Sequence, residues 1–230
     1  MTEWKLDEGK RELHAREKIM KFIPGIYLIN KPRGRSSFSM VAQVRRLSGI
    51  KKVGHAGTLD PQAEGLLIVL VGKEYTKRSD EFLKLDKTYK FTVKLGEISD
   101  TGDSEGEITA ISPKIPTKNA ILSVTQAFIG EINQVPPQYS AIKVDGVRAY
   151  KAARKGQIVE IQPRKVTINS LKLLDYSYPF LTLEADVSSG TYIRSLAEDI
   201  GSQLKTGAYC TEIIRTRISD KHLKDAITLD

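Results

Sequence analysis

One cysteine, one tryptophan and three histidines are all that the 230 residues offer of the side chains most used in metal, redox and disulfide chemistry. Cys210 on its own rules out an internal disulfide and fits a reducing compartment. His14, His55 and His222 lie too far apart along the chain to form a local zinc motif. No apolar run reaches the ~20 residues needed to cross a bilayer. Leu66 to Val71 is cut off by Gly72 and then by charge, and Glu3 to Lys21 lacks the apolar segment of a signal peptide. There is no Walker loop, no dinucleotide fingerprint and no Gly-x-Ser-x-Gly elbow; Gly65 to Lys73 has the wrong spacing for the first two. Asp100, Asp103, Glu105 and Glu107 miss the alternating positions of a calcium loop. These absences favour a cytoplasmic protein with no metal, no cofactor and no membrane partner, whose chemistry, if it is an enzyme, rests on a carboxylate.

Positive charge is abundant. Lys plus Arg number 36 against 28 Asp plus Glu, a net charge of +8 with a pI near 9.4, which favours polyanionic partners through counterion release. The length suits one large domain or two small ones and is enough to bury a core.

One turn stands out for chemistry. Gly54-His55-Ala56-Gly57-Thr58-Leu59-Asp60-Pro61 runs straight into the apolar stretch from Leu66. Its glycines permit backbone angles other residues resist, and Pro61 fixes its own φ, so Asp60 sits on a rigid turn that leads into buried structure. A purely structural Asp-Pro turn with a loop histidine explains the same residues and stays open on local pattern alone.

Periodicity gives a coarse outline. Ile26 to Asn30 reads as a strand, and Ser36 or Ser37 caps a helix whose stripe is Val41, Val44 and Leu47 and which ends near Gly49. That helix delivers Arg45, Arg46, Lys51 and Lys52 beside the turn, as a phosphate-binding rim or a solvated face. Lys87 to Lys94 alternates with period two, which puts Tyr89 on the inward face with Phe91, Val93 and Leu95. Strands are expected at 165–174 and 181–187, and a helix over 191–204 with Ile193, Leu196, Ala197 and Ile200 on one face. Strands and helices without regular βαβ alternation predict an α+β domain. Residues 134–156, with their prolines, tyrosines and basic groups, suit an RNA-gripping loop followed by a short helix, or a plain surface hairpin. Residues 1–22 form a charged extension in which Leu6, Leu13 and Met20 recur at a heptad interval, an amphipathic or frayed helix of unassigned role.

A set of ordered blocks supports a sharper reading. Lys31-Pro32-x-Gly34-x-Ser36-Ser37 precedes Gly-His-Ala-Gly-Thr-Leu-Asp-Pro-x-Ala63-x-Gly65-x-Leu67. Lys87-Thr88-Tyr89, Leu95-Gly96 and Ser99-Asp100-Thr101-x-Asp103-x-x-Gly106 come next, and then Gln134-Val135-Pro136-Pro137-x-Tyr139-Ser140-Ala141-x-Lys143 through Ala153-Arg154. Ser189-Gly190-Thr191-Tyr192-Ile193-Arg194-Ser195-Leu196 and Gly207-Ala208 to Arg215-Thr216 close the series. In content and order these blocks resemble the TruB family of tRNA pseudouridine synthases over residues 24–230.

The resemblance implies a pseudouridine synthase fold, with a mixed, mostly antiparallel sheet flanked by helices around a catalytic cleft, over residues 23–230. The reaction it implies is cofactor-free isomerisation of the T-loop uridine 55 of tRNA, flipped out of its stack by the enzyme. Asp60 would be the nucleophile, His55 would fill the vacated stack, and Tyr89 would lie against the base. Tyr192 would join that pocket, Arg194 would pair with Asp60, Lys31 and Pro32 would support the pocket floor, and Ile213 would line it. Further RNA contacts are expected from Arg45, Arg46, Lys51, Lys52, Tyr139, Lys143, Arg154 and Arg215, in a monomer that binds the T stem-loop. Two departures accompany the match: no PUA-like segment follows Arg215-Thr216, and Ile218 to His222 lacks the glycine and aromatic usual there. An RNA-binding or RNA-folding protein of the same fold, or a synthase acting on another RNA, remains the alternative.

Overall fold

The computed structural model describes residues 22–144 and 146–229. The N-terminal helix expected before residue 22 lies outside them.

In chain order the first elements are β1 (Gly25–Lys31), α1 (Ser37–Ser48), β2 (Val53–Ala56), β3 (Glu64–Val71), α2 (Lys73–Thr76), α3 (Ser79–Leu83) and β4 (Lys87–Leu95). The hairpin β5 (Glu97–Ser99) and β6 (Ile108–Ala110) leads to α4 (Lys118–Ala127) and β7 (Gly130–Gln134). A second small hairpin, β8 (Lys143–Val144) and β9 (Val147–Arg148), runs into α5 (Ala149–Ala153). Then follow β10 (Arg164–Ser177), β11 (Phe180–Val187), α6 (Ile193–Leu204), β12 (Ala208–Ile218), β13 (Lys221–His222), a turn of 3-10 helix and β14 (Ile227–Thr228).

Ten strands form one sheet in the order β14-β1-β3-β12-β4-β11-β10-β7, with β2 added on β3 and β13 on β12. Its pairings are antiparallel except β1 with β14 and β3 with β12. This is the expected α+β class with a mixed, mostly antiparallel sheet.

β3 is apolar at nearly every position because it is covered on both faces. Leu67, Val69 and Val71 pack with Met40, Val41 and Val44 of α1, and Leu66, Ile68 and Leu70 pack with Phe82 on the other side. β4 shows the expected alternation: Tyr89, Phe91, Val93 and Leu95 join the largest core cluster while Lys90 faces solvent. α6 closes that cluster with Ile193, Leu196, Ala197, Ile200 and Leu204. One expectation is corrected here. Leu47 does not continue the α1 stripe but is 41% exposed, since the helix is ending at Gly49 (φ +68) and Met40 takes the inward place two turns earlier.

The strand order carries the site. β12 enters between β3 and β4 and brings Ile213 and Arg215 beside the turn that connects β2 to β3. Gly65 makes that approach possible: at φ +103 it faces Arg215, and a Cβ there would collide with the Arg215 carbonyl oxygen and lie 2.9 Å from its nitrogen.

Candidate active site

The turn from Gly57 to Pro61 is braced at every second carbonyl. Arg215 Nη2 donates to the Gly57 oxygen at 3.0 Å, Ser37 Oγ donates to the Leu59 oxygen at 3.0 Å, and the Gly34 nitrogen donates to the Pro61 oxygen at 2.8 Å. Ser37 also accepts from the Leu59 nitrogen at 2.9 Å, so one buried hydroxyl ties the start of α1 to the turn in both directions. Lys31, fully buried, holds the turn from beneath through the oxygens of Arg35 (2.6 Å), Pro32 (3.0 Å) and Pro61 (3.2 Å). Between these supports the Asp60 side chain is left 44% exposed.

Arg194, on the first turn of α6, meets it. Its guanidinium is 5% exposed and lies 2.9 Å from Asp60 Oδ2 and 3.6 Å from Asp103 Oδ2. The same group donates to the oxygens of Thr101 (2.6 Å) and Tyr139 (2.9 Å). A planar fork of donors is suited to four acceptors from three segments at once. Gln134, 1% exposed, fixes the start of α6 by accepting from the Tyr192 nitrogen at 2.8 Å and donating to its oxygen at 3.1 Å. Ser195 Oγ donates to the Val135 oxygen at 2.8 Å. The segment expected to grip RNA is therefore fastened to the helix that carries the arginine.

A cleft of about 330 Å³ opens beside the carboxylate, with Asp60, Tyr89, Tyr192, Arg194, Ile213 and Arg215 in its walls. A groove of about 740 Å³ shares Asp60 and Arg194 with it and runs past His55, Tyr139, Tyr150 and Arg154. Arg154 stacks on Tyr150 with 5.5 Å from guanidinium carbon to ring centre.

Burial sets the charge states. It pushes the Tyr192 phenol up, which keeps the hydroxyl protonated, and it pushes His55 down with help from the Arg215 cation, which keeps the imidazole neutral near pH 7. Burial also lowers Lys31 and Lys87 to about 8, with Arg215 adding to the effect in both and Asp60 opposing it in Lys31. Lys87 reaches the cleft wall while donating to the oxygens of Leu83 (3.1 Å) and Leu85 (2.5 Å). Among the described residues no three His, Cys, Asp or Glu side chains converge on a point that could hold a metal ion.

Of the residues singled out in the sequence, six meet at the cleft and three more line the groove. Lys31 and Pro32 line neither: Lys31 is a strut under the turn and Pro32 faces solvent. Arg45, Arg46, Lys51 and Lys52 lie at the far end of α1, with Arg46 and both lysines exposed and Arg45 half-buried at 3.4 Å from the Val53 oxygen. Lys143 is exposed on β8. Arg215, expected among the RNA contacts, lies inside the fold in the wall of the cleft. It is 1% exposed, its Nε donates to the Leu66 oxygen at 2.7 Å, and it touches only the depth of the cleft. Ser37, Gln134 and Lys87 are functional supports that the sequence does not single out as such: Ser37 reads only as a possible helix cap, Gln134 only as part of the 134–156 segment and Lys87 only as part of a motif block. The available signal is a polar residue inside a motif block.

The sheet order defines the class, which is the pseudouridine synthase fold. The chain superposes on a chain of a Cbf5-Nop10-Gar1 complex with a TM-score of 0.68 at 28% identity, covering 89% of this chain and 52% of that one. It thus spans about half the length of that solved chain. Residues 45–193 match the model of the TruB family pseudouridylate synthase (N terminal domain), and the chain belongs to the TruB family. It is similar to the tRNA pseudouridine synthase B of Protochlamydia amoebophila, 47% identical over 195 residues, or 85% of this chain and 74% of that protein. The tRNA pseudouridine synthase B of Opitutus terrae is 42% identical over 211 residues, 91% of this chain and 87% of that protein. Its activity is accordingly that of an isomerase.

Proposed function

We propose that the chain converts uridine 55 in the T loop of tRNA to pseudouridine, in the cytoplasm and without a cofactor. The observation that carries this reading is the Asp60–Arg194 pair at 2.9 Å in the wall of a cleft whose volume, about 330 Å³, suits one nucleoside. Relatives that share 42% or more identity over most of the chain are named for tRNA.

The uridine leaves its stack, at a cost of a few kcal/mol, and enters the cleft between Tyr89 and Ile213. The neutral His55 imidazole, in the groove just outside, takes the place of the lost stacking partner. Asp60 supplies the carboxylate that acts at the ribose C1′, at C6 of the uracil, or as a base in a glycal route. The bond from C1′ to N1 breaks and the base turns over. A bond from C1′ to C5 then forms, C5 gives up its proton, and N1 gains one. The balance needs no oxidant or other reactant. Arg194 orients the carboxylate through its fixed contacts to Thr101 and Tyr139, and the protonated Tyr192 hydroxyl is a hydrogen-bond donor at the cleft wall. Arg154, Lys51 and Lys52 are exposed for contact with phosphates.

The test is to incubate the protein with unmodified tRNA transcript and to map pseudouridine by chemical labelling and primer extension. The expected result is one stop at the T-loop position, lost in Asp60→Asn while RNA binding stays within about threefold. Turnover by Asp60→Asn would overturn the assignment of the nucleophile, a stop elsewhere would identify another target, and binding without product in the wild type would favour an RNA-folding role.

A further inference from the structure

Phe38 is 68% exposed, and it belongs to none of the hydrophobic clusters. Its position is nevertheless fixed. It lies in the first turn of α1, after Ser36, whose hydroxyl accepts from the Ser39 nitrogen at 3.0 Å, and after Ser37, which is bonded twice to Leu59. Leu59 is the residue before Asp60, so the backbone that carries Phe38 is tied by two links to the turn that carries the carboxylate. The ring lines the 740 Å³ groove, together with His55 and Asp60, and with Arg148, Tyr150 and Arg154.

An aromatic side chain left in water next to cationic groups does not fit an apolar protein partner, which would bring no countercharge for Arg148 and Arg154. It does fit an unpaired nucleobase, whose π-face stacks on a phenyl ring while its phosphates meet the arginines. We propose that Phe38 is a stacking platform for an unpaired base of the RNA loop next to the target uridine, so that the loop is held on one side by Phe38 while the uridine occupies the cleft. This rests on the reading that the substrate is a folded RNA loop. It assigns to α1 a part in setting the register of the loop over Asp60.

The experiment is a binding titration of an unmodified T-arm stem-loop with wild type, Phe38→Tyr and Phe38→Leu. Leucine keeps the apolar bulk and removes the ring. Phe38→Tyr is expected to bind within about twofold of wild type and Phe38→Leu about tenfold more weakly, the usual size of one lost base stack. The titrations are repeated with stem-loops in which each unpaired loop position in turn is abasic. At one of these positions wild type and Phe38→Leu should bind equally. Equal binding of Phe38→Leu and wild type on the intact loop would overturn the proposal, and so would a gap that persists on every abasic loop. Pseudouridine formation by the wild type on the same stem-loop is scored separately. If no product forms, the proposed function fails while the comparison of Phe38 variants can still be read.

Discussion

Replacing Arg194 is the most discriminating perturbation, because one buried guanidinium serves both the stability of the fold and the placement of the carboxylate. Arg194→Met keeps the length of the side chain and removes every donor. The oxygens of Thr101 and Tyr139 then lose their partner, and Asp103, itself only 9% exposed, loses its nearest cation. Removing one partner of a buried, hydrogen-bonded ion pair costs about 3–5 kcal/mol, because the remaining groups stay desolvated. For a domain of this size each kcal/mol lowers the melting temperature by roughly 2–4 °C, so a loss of about 6–20 °C is expected by calorimetry or circular dichroism. Asp60 is more exposed and contributes little to that loss; its share appears in the reaction. Freed from its anchor, the carboxylate samples other rotamers, and the single-turnover rate is expected to fall by about 10²-fold or more, since small misplacements of a reacting group cost that much. Arg194→Lys restores the charge but not the fork, and a single ammonium cannot reach acceptors on three segments. It should recover part of the melting temperature and little of the rate. The reasoning is refuted if Arg194→Met melts within 3 °C of wild type, or if Arg194→Lys turns over at close to the wild-type rate.

Three other outcomes follow from the same geometry. Gly65→Ala places a methyl group against the Arg215 backbone at a positive φ and should destabilise the protein by more than about 3 kcal/mol, as read from urea unfolding, with activity lost in parallel. Burial raises Glu198 to about 7 from a usual 4.5, against the opposing pull of Arg194. Its folded form therefore holds a proton that its unfolded form has released, and stability present below pH 4.5 is lost as pH rises through about 7. Glu198→Gln should remove about 1–2 kcal/mol of that decline after allowance for solvent screening, measured as the difference in unfolding free energy between pH 5 and pH 8. Lys51→Ala combined with Lys52→Ala should weaken RNA binding and flatten its logarithmic salt slope by about one to two units if both touch phosphate, and an unchanged slope would move the grip to Arg148 and Arg154.

Much of this site could be read from the sequence, and what could not has identifiable causes. Asp60 and its turn were legible because glycine and proline record backbone geometry directly, and the alternation of β4 fixed the inward face of Tyr89. β12 was not recognised as a strand. Its sequence, Ala-Tyr-Cys-Thr-Glu-Ile-Ile-Arg-Thr-Arg-Ile, breaks period two at the irregularities between Cys210 and Glu212 and between Arg215 and Arg217, and it carries a buried arginine where a core residue would be expected. The basic residues were counted but could not be sorted. Arg215 and Lys52 look alike as letters, and only the strand order shows that one lies inside and the other outside. Leu47 is the reverse case, an apolar residue in phase with a stripe that the helix no longer presents to the core by that point.

The placement of β12 also bears on the order in which this molecule can become active. The strand at the middle of the sheet comes from the last tenth of the chain, and Arg215 reaches Leu66 across 149 residues of sequence. Until it has docked, β3 and β4 have no shared neighbour, the Gly57 carbonyl lacks its brace, and the cleft lacks the wall that holds Ile213. Contacts of such long sequence separation form late, because loop closure must be completed before they contribute. A nascent chain that has emerged as far as α6 already contains Asp60 and Arg194 but not the cleft wall that Ile213 and Arg215 form. Docking of β12 is thus the step that closes the cleft around a carboxylate and a guanidinium already present in the chain.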